Sequence, residues 1–162
     1  MQVIFPGTFD PPTNGHLDII QRAARLFERV VIVVADNPRK SSMFSASERE
    51  GLVRALASEF DNAEVHLWGG LIVDFAEREG IRVLLRGVRA LADFEYEFEL
   101  SLMNRALDPR IETLMLPTDQ KHVVVRSSAI KEIAQFGGDI SNMVPLVVAT
   151  AVKAKLNVLA DA

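Results

Sequence analysis

Val30-Val31-Ile32-Val33-Val34-Ala35 is a near-continuous β-branched run. Its polarity does not alternate, so it describes a strand buried on both faces, as in a parallel sheet covered by helices. Working outward, short β-rich runs alternate with longer helical patterns. Upstream, residues 3–5 form a strand, and Leu17, Ile20, Ala24 and Phe27 then recur at helical spacing. Downstream, Ser47 and Glu50 fit a capping box for a helix whose inner face carries Leu52, Leu56 and Phe60. A strand at 64–67 and a helix at 71–79, stopped by Gly80, come next. A strand at 83–85 precedes a long helix at 91–107. The chain closes with a strand at 113–116, a helix at 128–136 ended by Gly137-Gly138, and a helix from Pro145 to about Leu159.

This alternation predicts an α/β fold, a Rossmann-like doubly wound five-stranded parallel sheet in the order 3-2-1-4-5 with helices on both faces. Residues 1–162 fit a single domain. Lys and Arg number 18 against 22 Asp and Glu, with no long basic run, so nucleic-acid binding has no support in the composition. The absence of cysteine excludes disulfides and thiolate metal sites and agrees with a cytoplasmic location. The N-terminus lacks the pattern of a secretory signal, and the apolar run at 30–35 is too short to cross a membrane.

In such a sheet, ligands bind beyond the carboxyl ends of the strands, where the strand order reverses. Two unusual segments fall there: Gly7-Thr8-Phe9-Asp10-Pro11-Pro12-Thr13-Asn14-Gly15-His16 after the first strand, and Arg86-Gly87-Val88-Arg89 after the fourth. The first leads into a helix start, which suits a phosphate, and His16 projects from the first turn. Arg86 and Arg89 offer planar forks that match phosphate oxygens. Lys40, on a polar loop after the second strand, reaches toward the same crevice. Arg126-Ser127-Ser128 opens a helix and suits capping or anion binding. His66 reads as structural. Phe94, Phe98 and Leu102 have helical spacing and read as core packing, while Glu95, Glu97 and Glu99 read as a solvated face. There is no Walker-type loop and no Gly-x-Gly-x-x-Gly.

Gly7-Thr8-Phe9-Asp10-Pro11 with Thr13-x-Gly15-His16 resembles the (His/Thr)-x-Gly-His signature of the nucleotidyltransferase α/β-phosphodiesterase superfamily. That motif fits cytidylyltransferases and nicotinate-nucleotide adenylyltransferases equally. The run from Arg86-Gly87-Val88-Arg89-Ala90-Leu91-Ala92-Asp93-Phe94-Glu95-Tyr96-Glu97 to Met103-Asn104-Arg105 narrows the resemblance to the phosphopantetheine adenylyltransferase family. The resemblance implies adenylyl transfer from ATP to 4′-phosphopantetheine, with Mg²⁺ arriving on the nucleotide, in a homohexamer with coenzyme A as a candidate feedback ligand. It implies His16, Lys40 and Arg89 as catalytic groups and Thr8, Lys40, Ile72 and Arg86 as contacts to the acceptor. It further implies Thr8, Phe9, His16, Gly87, Val88, Arg89, Glu97, His122, Val123, Val124, Val125, Arg126, Ser127 and Ser128 as contacts to ATP. The chain departs from the family pattern at Ser41-Ser42, where Lys-Pro is common, and at Arg126, where a small residue is usual. Other readings are a different nucleotidyltransferase, a noncatalytic nucleotide-binding regulator and a purely structural protein.

Overall fold

The computed structural model describes residues 1–37 and 41–160. The elements run β1 (Gln2–Gly7), α1 (Asn14–Leu26), β2 (Arg29–Ala35), α2 (Ala46–Ala57), β3 (Ala63–Trp68), α3 (Ile72–Glu79), β4 (Val83–Val88), α4 (Leu91–Leu107), β5 (Glu112–Pro117), α5 (Ser127–Gln135) and α6 (Leu146–Ala160), with a short 3₁₀ turn at Gln120–His122. The strands form one parallel sheet in the order β3-β2-β1-β4-β5, as the alternation predicts. Among the described residues, no helix is long and apolar enough to cross a membrane.

β2 explains the two-sided burial. Val30, Ile32 and Val34 pack with Ile19, Ile20 and Val53 on one face. Val31 and Val33 pack with Val73, Phe75 and Ala76 on the other. A period of two thus divides one apolar run between two cores. A third cluster joins Leu52 and Leu56 of α2 to Ile130 of α5 and to Val148 and Val152 of α6.

β1 extends through Pro6, beyond the expected end at residue 5, and registers with β4 at Ile4 opposite Leu84. Proline has no N–H to give a ladder. The Pro6 carbonyl is instead taken by the Arg86 side chain at 2.6 Å. A crevice therefore opens between the carboxyl ends of β1 and β4.

Several local expectations are corrected. The capping box of α2 is Ser45 with Glu48, not Ser47 with Glu50. Two Ser-x-x-Glu frames overlap there, and the earlier one starts the helix so that Arg49, Leu52, Val53 and Leu56 turn inward. Phe60 lies beyond α2 and packs as a partly buried residue on the first core. β4 continues through Arg86, Gly87 and Val88, so Arg86 and Gly87 point to opposite faces of the sheet. α5 begins at Ser127 rather than Ser128, and α3 at Ile72 rather than Leu71.

The largest correction concerns α4. Its buried residues are Glu97 and Asn104, whereas Phe94, Phe98 and Leu102 are 44%, 48% and 54% exposed. The helix turns a polar face to its own sheet and an apolar face outward. Helical spacing shows which side chains share a face, not which face meets the chain.

Candidate active site

The site is built from the loop after β1. Phe9 adopts a left-handed backbone with φ of 52°, and its ring folds back over Gly7. A Cβ at Gly7 would lie 2.8 Å from that ring, so only glycine fits there without a shift. The buried Phe9 ring stands edge-on to the His16 ring, with centroids 5.0 Å apart. Asp10 is buried and accepts from the backbone N–H groups of Met43 and Phe44 at 3.0 Å each, and from Lys131 Nζ at 2.8 Å. Burial raises the Asp10 carboxyl, but the Lys131 bond and the two N–H donors outweigh it and hold its pKa below the usual value. This carboxylate ties the loop to the segment before α2 and to α5.

Thr13 caps α1. Its hydroxyl accepts from the His16 N–H at 3.3 Å, and its own N–H donates to His16 Nδ1 at 3.0 Å. The imidazole thus takes the place of the usual Glu or Gln of a capping box. Because Nδ1 accepts from a backbone donor, the proton of the neutral ring sits on Nε2. Burial first, and then the charges of Arg89 and Arg86, push the His16 pKa down to about 4. The residue is therefore a neutral hydrogen-bond donor near pH 7. The helix start is less open than its sequence suggests, because the Asn14 N–H already bonds to the Met143 carbonyl at 3.0 Å.

Arg86 faces His16 from β4. Its Nε and Nη2 donate to the Glu97 carboxylate at 2.6 and 2.7 Å. Arg89 is held in the same way, with Nε and Nη2 on Asp93 at 2.8 and 3.2 Å and Nη1 on the Val125 carbonyl at 2.9 Å. Gly87, on the opposite face, lets Ile19 of α1 approach, for a Cβ there would lie 3.2 Å from the Ile19 side chain.

These parts enclose one cleft of about 610 Å³. Thr8, Phe9, His16, Arg86, Gly87, Arg89, Glu97, Val125, Arg126, Ser127 and Ser128 all line it. Ile72, Val88, His122, Val123 and Val124 do not. Ile72 packs on the second core, and His122 sits beside Gly15 at the rim. Lys40 lies outside the described residues. Ser127 donates its hydroxyl to the Pro11 carbonyl at 2.8 Å rather than capping α5. Glu97, read from sequence as part of a solvated face, is 8% exposed, while Glu95 and Glu99 are exposed as expected.

Among the described residues, four cationic side chains line the cleft, Arg86, Arg89, Arg126 and Lys131, against the carboxylates of Asp10 and Glu97. The excess suits a polyanion. Sequence reasoning missed two of the supporting residues. Lys131 has the position of an ordinary helix lysine, and only the fold brings it to Asp10. Arg49 is 2% exposed and donates through Nη1 to the carbonyls of Thr8 at 2.8 Å and Ala35 at 2.7 Å. It joins the ends of β1 and β2, and no local pattern marks that role.

The chain matches the cytidylyltransferase-like family model over residues 4–133. It is 44% identical to the phosphopantetheine adenylyltransferase of Alkaliphilus metalliredigens, over 94% of this chain and 97% of the relative. It is 48% identical to that of Clostridium tetani, over 88% of this chain and 89% of the relative. For that of Desulfosudis oleivorans the identity is 46%, over 94% of this chain and 91% of the relative. A solved structure described as a nicotinate-nucleotide adenylyltransferase from Vibrio parahaemolyticus shares the fold with a TM-score of 0.65 at 20% identity, over 93% of this chain and 97% of that one. With its motifs, its sheet order and these relatives, the chain belongs to the phosphopantetheine adenylyltransferase family of the cytidylyltransferase-like nucleotidyltransferases.

Proposed function

We propose that the chain transfers the adenylyl group of ATP to 4′-phosphopantetheine, releasing pyrophosphate. The observation that supports this most is the convergence of His16, Arg86 and Arg89 on one cationic cleft at the reversal of the sheet. The acceptor phosphate is already an anion, so it attacks the α-phosphorus in line and no protein nucleophile is needed. The P–O bond to pyrophosphate breaks as the new P–O bond forms. The chain supplies positioning and charge neutralisation. His16 Nε2–H donates to an oxygen of the reacting phosphate, and Arg89 grips the triphosphate beside it. Arg86 and Thr8, which line the cleft, take the acceptor, with Lys40 as a further acceptor contact. Val125, Arg126, Ser127 and Ser128 hold the nucleotide from the α5 side.

Mg²⁺ is proposed to arrive on ATP, held by phosphate oxygens. The cleft carboxylates Asp10 and Glu97 are each engaged by a cation of the chain, and the described residues contain no cluster of metal-binding side chains. The proposed location is the cytoplasm. We propose a homohexamer, with the outward apolar face of α4 as a self-association surface, and coenzyme A as a feedback ligand in the same cleft. The deciding experiment is pyrophosphate release from ATP with 4′-phosphopantetheine, nicotinate mononucleotide or no acceptor. Release only with 4′-phosphopantetheine is expected. Release only with nicotinate mononucleotide, or none with either, would overturn the reading.

A further inference from the structure

α4 turns two carboxylates toward the arginines of the cleft, Asp93 and Glu97, which lie one turn apart on the same helix face. Each grips one arginine in the same manner, by a fork on Nε and Nη2. Each arginine is fixed a third time by a carbonyl on Nη1, that of Pro6 for Arg86 and of Val125 for Arg89. A guanidinium has five N–H donors, so each still has two to offer a ligand.

Two partly buried ion pairs are a poor way to attach a helix. Apolar packing does so equally well or better, and Phe94, Phe98 and Leu102 are available on the same helix yet turned outward. What the forks supply is direction. A planar guanidinium clamped on three sides has few orientations left, so little freedom remains to be lost when an anion binds.

We propose that Asp93 and Glu97 are positioning residues that set Arg89 and Arg86 in their working orientations before substrate arrives, with α4 as the rigid element that carries both. Toward the acceptor, Glu97 acts through Arg86, on which both its carboxylate oxygens are engaged. The assignment of Arg86 to the acceptor and Arg89 to ATP rests on the function proposed above; the coupling within each pair does not.

Steady-state kinetics on full-length Glu97→Gln, Asp93→Asn, Arg86→Ala, Arg89→Ala and the two matching double variants, each checked by thermal melting, test this. Glu97→Gln is expected to raise KM for 4′-phosphopantetheine about tenfold, and Asp93→Asn to raise KM for ATP by a similar factor. Adding Glu97→Gln to Arg86→Ala is expected to raise KM for the acceptor no further, and adding Asp93→Asn to Arg89→Ala to raise KM for ATP no further. Unchanged KM values in melting-competent single variants, or independent effects that add in the doubles, would overturn the proposal. If Glu97→Gln does not fold, Glu97→Asp in the same cycle decides: a raised acceptor KM that does not add to Arg86→Ala is expected, and an acceptor KM equal to wild type would overturn the Glu97 assignment. If Arg86→Ala and Glu97→Gln move the same constant without adding, but that constant is KM for ATP, the substrate assignment falls and the positioning stands.

Discussion

At the scale of single residues, His16 combines two duties that mutation can separate. Nδ1 completes the cap of α1, and Nε2–H is the proposed donor to the reacting phosphate. In His16→Asn the amide oxygen replaces Nδ1 as acceptor from Thr13, but nothing replaces Nε2–H. kcat is expected to fall by about 10²–10⁴ while the melting temperature holds. A folded variant with near-normal kcat would remove His16 from the reaction. His16→Ala loses the cap as well and is expected to cost about 1 kcal/mol more in stability. Gly7 is constrained by one ring. Because a Cβ would meet Phe9 at 2.8 Å, Gly7→Ala is expected to destabilise the protein by about 1–3 kcal/mol in denaturant melts. Unaltered stability would mean that the Phe9 ring has room to move.

At the scale of elements, α4 decides what the sequence conveys and what it hides. The run at 30–35 shows its two-sided burial because every residue in it has the same character, and the strand order follows from alternation. The motif loops could be placed because they sit at strand ends. The facing of α4 could not, since Phe94, Phe98 and Leu102 mark a stripe without saying who covers it. Arg49 and Lys131 were hidden for a related reason: their partners are carbonyls and a carboxylate whose position only the assembled sheet defines. β1 runs past the expected end at residue 5, because the strand accommodates Pro6 where the ladder to β4 lapses. Since the α4 stripe is exposed within the chain, Phe94→Lys with Phe98→Lys is expected to leave the fold intact and reduce the molar mass in sedimentation to that of a smaller unit. A wild-type chain that sediments as a monomer would refute the self-association surface.

At the scale of the whole molecule, the depressed His16 pKa links folding to pH. Above about 6.5, the imidazole is neutral in both the folded and the unfolded chain, and its contribution to stability is complete. As pH falls from 6.5 toward 4, the unfolded chain takes up a proton that the folded one refuses. Stability is then expected to drop by up to about 1.4 kcal/mol per pH unit from this group. Urea melts at pH 7 and 5 measure it, and His16→Asn should flatten the difference; an equal slope in the variant would assign the effect elsewhere. The depressed Asp10 pKa acts with the same sign only below 3.8, so the two windows stay apart. The outward grease of α4 carries one more implication, for handling at the bench. If partner copies steady the helix that aims both arginines, nanomolar stocks will turn over substrate sluggishly at first and recover with a lag on reconcentration, although every chain in the tube remains folded.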